Sequence, residues 1–569
     1  MKTYNLPIEL IIQMPAHAIH SKSVPLDVVK KLKKAGIDAE MEADHQPASK
    51  KQAVTSKSII PSGNNVTVKT KARDTEINPW DIAHLSAGAL GEDASYIEPN
   101  FINEFTVERK VADPADQLNA KSFGSGNTGD DYDSDWAPNK NIVWHLDEKH
   151  SQLLKARTAF VHDDYEIRIG HLDTGYSKMH FAIPEAIRTN TLQRNFVKGQ
   201  RPNDAHDPFS DGFLKQPGHG TGTLGLLAGT KVDLATDNGR FQDYLGGAYF
   251  ANVICCRIAE SVILFKTNAF AQALQYLTEL SLSGTQVHVV SMSMGGAPSK
   301  IWADAVNAAY DAGITMVTAS GNNFSGLPTR HVVYPARFKR VIAACGVTYD
   351  FKPYYTELLN EMQGCFGPSR HMSHALAAFT PNTPWASVET NTIRFSGAGT
   401  SSATPQIAAA AAIYYKKYHN ELDRLLPWQR VEAVRNALYH SALKKVNEGE
   451  NYDDFATYFG NGILQAHSSL SIPVNSRLAK TPKDEVPWFP ILNTLFKKVP
   501  NQQQRTKLDM LNTEIAQLIY NFPELNLLID DDLKEYDTID QRKWQLFKEA
   551  VINHPSSSVT LKKYLEVKQ

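Results

Sequence analysis

Residues 397–412 read GAGTSSATPQIAAAAA, a glycine-bracketed turn that leads through Pro405 into a run of alanines. Alanine favours the helix most strongly and proline suits a first helical turn, so the stretch predicts a helix over residues 405–418. Ser401 and Ser402, just before it, have two interpretations. Either they cap the helix, or one of them is a nucleophile at a helix N-terminus, where a developing negative charge is stabilised.

The chain that precedes this helix alternates between apolar strands and helical segments. Strands are predicted at residues 167–172, 252–258, 287–292, 314–318 and 341–347. Helices are predicted from residue 224 onward and over 268–282 and 302–312. Continuous apolar strands with intervening helices favour an α/β fold with a doubly wound, mostly parallel sheet, in which sites form at the C-terminal ends of the strands.

The first 101 residues predict a separate small α+β domain. Their apolar and amphipathic segments follow the order β-α-β-β-α-β. The predicted strands cover residues 6–14, 37–41, 66–69 and 95–100, and the predicted helices cover 25–34 and 79–90.

The remaining regions are a linker, the α/β domain and a helical end. Residues 102–140 are predicted to be a linker, because residues 111–140 are rich in Gly, Ser, Asp and Asn, which is typical of a linker or an exposed loop. Residues 141–470 hold the predicted sheet, and residues 471–569 are predicted to be mostly helical. An acidic stretch at 530–532 is predicted at a helix boundary. One apolar helical face of the C-terminal region carries Leu508, Leu511, Ile515 and Leu518.

Composition limits the classes of function. The 569 residues are 42% hydrophobic and 21% charged with a net charge of −2, so no electrostatic footprint for nucleic acid or membrane is expected. The four cysteines fit buried, reduced thiols better than a disulfide framework. Glu9 interrupts the only N-terminal apolar stretch, which makes a poor signal peptide, and no apolar run is long enough for a membrane span. These features predict a cytoplasmic protein.

Three polar residues stand at predicted strand ends or helix starts. Asp173 leaves a buried strand in IRIGHLDTG, His219 enters a helix in GHGTGTLGLLAG, and Ser401 precedes the alanine run. Together they can activate a hydroxyl nucleophile, because the imidazole takes the serine proton and the carboxylate orients the imidazole. Asn322, in VTASGNN, could donate its amide to an oxyanion together with the N–H of Ser401.

The segments that carry these residues resemble the subtilisin-type serine peptidases, the subtilases. That family shows Asp-Thr/Ser-Gly, His-Gly-Thr-His, Gly-Asn and Gly-Thr-Ser-Met-Ala-x-Pro in this order. The matching segments here are DTG at 173–175, HGTG at 219–222, GN at 321–322 and GTSSATP at 399–405, with further similarity in VVSMSMGG at 289–296 and YPARFKRVIAACGV at 334–347. The resemblance spans residues 141–470. It implies a serine peptidase in which Asp173, His219, Ser401 and Asn322 are catalytic.

Two positions depart from the family pattern. Gly222 stands where subtilases usually have a second histidine, and Ser402 stands where they usually have methionine. Neither is a triad position, so the resemblance implies altered tuning rather than lost activity. The Gly-Thr-Ser register favours Ser401 over Ser402 as the nucleophile. No calcium-loop signature is evident, so no metal and no cofactor are predicted.

The resemblance also implies a role for residues 1–101. Subtilases often carry a small β-α-β-β-α-β prodomain that assists folding and inhibits the active site, and its last strand commonly ends in a Tyr-Val-Glu-Pro-like sequence. Residues 96–99 read YIEP. Two interpretations stay open: an inhibitory domain followed by a cleavable or displaceable linker at 102–140, or a retained accessory domain without a regulatory role.

A peptide substrate is expected to add as a strand to exposed sheet edges. By resemblance these edges are residues 293–296 and the region of 261–263. Small residues around the first pocket leave room for a bulky substrate side chain. The predicted substrate-binding residues are Ser293, Met294, Gly295, Ser320 and Gly321.

Two classes of function remain after these observations. The first is an intracellular endopeptidase that acts on a protein or peptide and is held in check by residues 1–101 or by a regulatory protein on the C-terminal region. The second is a catalytically silent binding or scaffold protein on the same fold. A dinucleotide site is disfavoured, because GTGTLG at 220–225 follows KQP rather than a buried strand. The intact set of four predicted catalytic residues favours the endopeptidase.

Overall fold

The structure is a computed structural model, and it describes residues 5–15, 24–41, 65–104, 142–159, 164–209, 218–236, 239–261, 264–324, 329–355, 362–388, 391–445, 452–486, 501–529 and 541–566. Most of the predicted linker, from 105 to 140, and the acidic stretch 530–532 lie outside the described residues.

The described elements have the following bounds. The strands are β1 (Pro7–Gln13), β2 (Ala39–Met41), β3 (Asn65–Arg73), β4 (Tyr96–Pro99), β5 (Ile102–Glu104), β6 (Arg168–Asp173), β7 (Arg194–Asn195), β8 (Lys231–Thr236), β9 (Gly239–Tyr244), β10 (Asn252–Arg257), β11 (Leu264–Lys266), β12 (Val289–Met292), β13 (Thr315–Ala319), β14 (Asn322–Phe324), β15 (Val341–Val347), β16 (Met362–Gly364), β17 (Ala375–Phe379), β18 (Thr383–Ser387) and β19 (Thr392–Gly397). The helices are α1 (Val24–Lys34), α2 (Pro79–Leu90), α3 (Leu153–Ala156), α4 (Glu185–Arg188), α5 (His219–Ala228), α6 (Thr267–Leu282), α7 (Lys300–Asp311), α8 (Ser369–Met372), α9 (Thr400–Lys417), α10 (His419–Leu422), α11 (Pro427–Ser441), α12 (Tyr452–Phe459), α13 (Ala466–Ser469), α14 (Gln502–Asn521), α15 (Pro523–Asn526), α16 (Gln541–Asn553) and α17 (Val559–Glu566).

A parallel sheet forms the centre of the fold. Among the described strands, seven pair in the order β17-β15-β13-β12-β6-β10-β7. Successive strand residues face opposite sides, so in β10 Val253 and Cys255 join one apolar cluster while Ile254 and Cys256 join another. Helices α5 and α9 contribute to the first cluster, and α6 and α7 contribute to the second. The doubly wound α/β fold predicted from the sequence is therefore confirmed.

The C-terminal ends of the central strands lie along one edge of this sheet. Asp173 ends β6 opposite Arg257 of β10, and Leu172 pairs with Met292 of β12. Because the pairing is parallel, the loops after these strands open at the same edge. This edge carries the candidate site.

Helix α9 begins at Thr400, five residues before the predicted start at Pro405. A proline inside a helix removes the hydrogen bond to the carbonyl four residues earlier, here that of Ser401. The hydroxyl of Ser293 donates to this carbonyl at 3.1 Å instead. The helix therefore continues through Pro405, and Ser401 lies in its first turn.

The N-terminal unit is a four-stranded antiparallel sheet, β2-β3-β1-β4, with helices α1 and α2. Its apolar residues belong to the same cluster as those of α6 and α7, so the unit packs directly on these two helices. Polar contacts flank this core: Asn268 donates through Nδ2 to Thr67 Oγ1 at 2.7 Å, and Lys266 pairs with Glu9 at 2.6 Å.

Glu98 of β4 is buried at the start of α7. Its carboxyl accepts hydrogen bonds from the Ser299 hydroxyl, from the Lys300 N–H at 3.2 Å and from the Tyr96 hydroxyl at 3.0 Å. Burial raises the pKa of this carboxyl to about 7, although each of these hydrogen bonds opposes the increase. The last strand of the N-terminal unit thus places a titratable carboxyl group in the interface between this unit and helix α7.

The C-terminal helices pack against the N-terminal unit. In α14 the predicted apolar face is buried, Thr513 Oγ1 lies 2.8 Å from the Tyr96 hydroxyl oxygen, and Gln517 accepts from Trp80 Nε1 at 3.0 Å. Gln517 also donates to the carbonyl of Pro298 at 2.9 Å. Helix α14 therefore contacts both the N-terminal unit and the α/β domain. No described helix has both the length and the apolar character of a membrane span.

Candidate active site

Asp173, the last residue of β6, is buried and accepts hydrogen bonds on both carboxylate oxygens. Oδ1 accepts from the N–H of Thr174 at 2.7 Å and from His219 Nδ1 at 2.8 Å, and Oδ2 accepts from Thr223 Oγ1 at 3.1 Å. Burial alone would raise the pKa of this carboxyl, but the adjacent His219 and the hydrogen bonds hold it below its ordinary value. The carboxylate therefore stays charged.

His219 is the first residue of α5 and lies against the turn that follows β6. This close approach requires glycine at 220, because a Cβ there would lie 2.1 Å from the carbonyl oxygen of Gly175. With Nδ1–H donating to Asp173, Nε2 is the free acceptor of the ring. Nε2 is buried and has no hydrogen-bond partner among the described residues. This nitrogen is therefore available to accept a proton.

Trp385 of β18 occupies the space beside His219 that a side chain at position 222 would need. A Cβ on Gly222 would lie 1.8 Å from Trp385 Cε2, and the Trp385 and His219 rings pack edge to face with their centroids 5.7 Å apart. The sequence indicated Gly222 as a departure from the family pattern, whereas Trp385 was not predicted. Gly222 was the available signal, because a glycine at this position indicates that a large side chain packs against it but does not identify that side chain.

Ser401 lies in the first turn of α9 and is almost fully buried. Its Oγ donates to the carbonyl of Ser293 at 3.3 Å. The neighbouring Ser402 is held elsewhere, since its Oγ donates to the carbonyl of Ala398 and accepts from Thr383 Oγ1, both at 3.1 Å. Of the two serines, Ser401 is the one beside the predicted substrate strand.

Asn322 is fixed by the start of α9. Its Oδ1 accepts from the N–H of Thr400 at 2.9 Å, and because an N–H can only donate, the amide oxygen must face Thr400 and Nδ2 must face away. Gly399, with φ of 72°, permits this packing, because a Cβ there would lie 2.7 Å from Asn322 Nδ2. Thr400 also bonds to Gly321, which ties the predicted oxyanion segment to the helix that carries Ser401.

The predicted substrate-binding residues lie at the same edge of the sheet. Ser293 contacts Ser401 through both its hydroxyl and its carbonyl. Met294, Gly295, Ser320 and Gly321 are buried, and Ser320 Oγ donates to the carbonyl of Cys365 at 2.8 Å.

Val333 lies between Gly295 and Gly321 and was not predicted. A Cβ at either glycine would lie within 3 Å of a Val333 methyl group. Val333 therefore separates two glycines of the predicted substrate-binding set.

Comparison with known proteins decides the family. The model of the peptidase S8 subtilase family matches residues 164–462, more than half of the chain. The chain belongs to the subtilase family. This subtilase has the enzyme class that the sequence predicts, that of serine proteases, which are hydrolases acting on peptide bonds.

Two relatives show how far this subtilase has diverged. It is 26% identical to subtilisin DY of Bacillus licheniformis over 304 residues, which are 53% of this chain and 90% of that protein. It is 25% identical to alkaline elastase YaB of Bacillus sp. strain YaB over 413 residues, which are 72% of this chain and 85% of the relative.

A solved structure shows the same fold. Fervidolysin from Fervidobacterium pennivorans, described as a keratinolytic enzyme related to subtilisin, matches this subtilase with a TM-score of 0.50 and 15% identity. The match covers 84% of this chain and 64% of that chain, slightly less than two thirds of its length. At this identity the likeness supports the fold alone.

Proposed function

We propose that this subtilase is an endopeptidase that cleaves peptide bonds with Asp173, His219 and Ser401, and that Asn322 stabilises the oxyanion. The observation that carries the proposal is the buried 2.8 Å hydrogen bond between Asp173 Oδ1 and His219 Nδ1. It fixes the tautomer that leaves Nε2 ready to accept a proton.

The reaction proceeds in two acyl-transfer steps. Ser401 Oγ turns from the Ser293 carbonyl towards His219, gives its proton to Nε2 and attacks the substrate carbonyl carbon. The resulting oxyanion accepts hydrogen bonds from Asn322 Nδ2 and from the N–H of Ser401 in the first turn of α9, where N–H groups lack a partner four residues earlier in the helix. His219 then protonates the leaving amine, and a water molecule hydrolyses the acyl-enzyme by the same route.

Replacing Asn322 with alanine tests the oxyanion assignment. We expect kcat to fall by about 10²- to 10³-fold with little change in KM, because the lost hydrogen bond forms mainly in the transition state. The measurement is steady-state hydrolysis of a chromogenic peptide. The matched control is Asn323→Ala, which removes a neighbouring amide that is not assigned to the oxyanion. Asn323 Nδ2 lies 3.4 Å from the carbonyl of Gly364. Unchanged kcat in Asn322→Ala would contradict the assignment.

The proposed substrate is an extended segment of an intracellular protein. All four cysteines are free and buried, which fits a reducing compartment. Mass spectrometry of an unfolded protein after incubation with the enzyme should reveal internal cleavage sites. Products trimmed only from the chain ends would point to an exopeptidase instead.

The N-terminal unit is proposed to restrain this activity. Strand β5, which follows the unit, pairs antiparallel with β11, the edge segment next to the region predicted to bind an extended substrate. Main-chain groups of β11 are therefore engaged by the chain itself rather than by a substrate. Helix α14 supports retention of the unit, because it contacts both the unit and the segment before α7. A regulatory protein on the C-terminal region remains a prediction.

The Glu98 carboxyl should make the stability of this arrangement depend on pH. Its pKa in the folded protein is about 7, above the ordinary 4.5, so the folded state holds the proton more tightly. The contribution of this carboxyl to the unfolding free energy is fully present below pH 4.5 and is lost as the pH rises through 7. We expect the unfolding free energy of the wild type, measured relative to Glu98→Gln, to decrease by up to about 3 kcal/mol between pH 4.5 and 8. Denaturant unfolding of both proteins measures this difference, and a constant difference would contradict the prediction.

Glu98→Arg tests restraint itself in the full chain. A buried cation at the positive end of α7 should displace β4, so peptide hydrolysis at pH 8 should rise several-fold. Glu98→Gln is the control and should stay restrained. If hydrolysis is unchanged while thermal stability falls, the unit is an accessory domain without a regulatory role.

A further inference from the structure

Two polar side chains lie behind the Asp173 carboxylate, on the oxygen that does not contact His219. His171 precedes Asp173 by two residues on β6, so both side chains emerge on the same face of the strand. Thr223 follows His219 by one turn of α5, so both lie on the same side of that helix. His171 and Thr223 are buried, with exposed fractions of 2% and 0%.

The distances define the direction of a hydrogen-bond chain. Thr223 Oγ1 lies 3.1 Å from Asp173 Oδ2, 3.3 Å from the Gly220 carbonyl and 3.4 Å from the His219 carbonyl. Its single hydrogen goes to the carboxylate, which is both the nearest of these acceptors and the charged one. Thr223 Oγ1 must then accept from His171 Nε2, which lies 2.9 Å away.

His171 is suited to this donor role. Burial lowers the pKa of His171 to about 4, so its ring is neutral at neutral pH. A neutral ring has one N–H, and the hydrogen bond to Thr223 places it on Nε2. The chain runs from His171 Nε2–H to Thr223 Oγ1 and from Thr223 Oγ1–H to Asp173 Oδ2.

We propose that His171 and Thr223 are positioning residues for the peptidase reaction, which hold the Asp173 carboxylate in the orientation that keeps Oδ1 on His219 Nδ1. This inference rests on the proposed function. Thr223 supplies the hydrogen bond to Oδ2, and without it a buried charged oxygen would lose a partner. The carboxylate would then rotate towards another hydrogen-bond donor, and this rotation would move Oδ1 away from His219 Nδ1.

Thr223→Val keeps the shape of the side chain and removes its hydroxyl. We expect kcat per active site to fall by about 10- to 100-fold, as is typical when a partner of a functional side chain is lost, with KM unchanged within about twofold. Thr223→Ser restores the hydroxyl and should keep kcat near that of the wild type. Active sites are counted by titration with a fluorophosphonate, so that a misfolded fraction does not count as slow catalysis.

The His171 variants test whether the two residues act as one chain. His171→Leu removes the donor, whereas His171→Gln presents an amide N–H near the former Nε2 and should retain more activity. Because each single change breaks the same chain, His171→Leu combined with Thr223→Val should lower kcat by less than the product of the two single effects. A full product of the two effects would show independent roles and would overturn the proposal.

A spectroscopic measurement separates positioning from general stability. The His219 Nδ1 proton, shared with Asp173, should give a far-downfield proton resonance in the wild type. We expect this resonance to shift or disappear in Thr223→Val and to return in Thr223→Ser. An unchanged resonance together with unchanged kcat per site in Thr223→Val would overturn this inference alone, whereas activity in Ser401→Ala would overturn the proposed function.

Discussion

Ser401→Ala is expected to remove nearly all peptidase activity and lower kcat by about 10⁶-fold. The change deletes the oxygen that attacks the substrate carbonyl, and the neighbouring Ser402 hydroxyl bonds to Ala398 and Thr383 instead. Hydrolysis of a chromogenic peptide measures the loss. The overall fold should be unaffected, because among the described residues Ser401 Oγ makes a single hydrogen bond, of 3.3 Å. Circular dichroism and thermal unfolding check this.

Ser402→Ala is the matched control for that experiment. Its hydroxyl bonds to Ala398 and Thr383 within the protein, so its loss should change stability more than kcat. We expect kcat to remain within a few-fold of the wild type. A large loss of activity in Ser402→Ala with activity retained in Ser401→Ala would assign the nucleophile to the other serine.

Asp173→Asn is expected to lower kcat by about 10⁴-fold without a comparable change in KM. The asparagine keeps the size of the side chain but removes its charge, and it can present an N–H to His219 where the carboxylate presented an acceptor. The ring then adopts the tautomer with its hydrogen on Nε2, which cannot take the proton of Ser401. Steady-state hydrolysis at neutral pH measures the effect.

Asp204→Asn provides a control for the loss of a carboxylate. Asp204 is partly exposed and pairs with Lys178 at 2.7 Å rather than with His219. Surface pairs of this kind contribute little, so kcat should not change. Equal losses in the two variants would show that Asp173 acts through net charge rather than by orienting His219.

The sequence predicts a strand or helix where nearby residues, such as an apolar run followed by a glycine turn, indicate it. The apolar run that ends in Asp173 predicts β6, and the following glycine turn predicts that the carboxylate lies at the sheet edge. The start of α9 could not be predicted in the same way, because Pro405 is typical of a first turn. Its tolerance inside the helix depends on a hydroxyl donated by Ser293, which is 108 residues away.

Residues that support the candidate site were harder to predict than those that form it. The sequence placed a polar His171 in an apolar strand and a glycine at 222, but neither residue names its partner. Thr223 and Trp385 come from other elements, and only the packing of α5 against β6 and β18 brings them to the site. Strand β17, ALAAF, was also missed, because alanine has a weak preference for strands.

Fluorophosphonate labelling followed by peptide mapping tests the central claim most directly. The reagent reacts with a serine whose hydroxyl is activated and whose oxyanion is stabilised, so it reports the assembled site without a known substrate. We predict a single phosphonylated residue, Ser401, with faster labelling in Glu98→Arg than in the wild type and none in Ser401→Ala. No labelling of either folded wild type or folded Glu98→Arg, or labelling at another serine, would contradict the account.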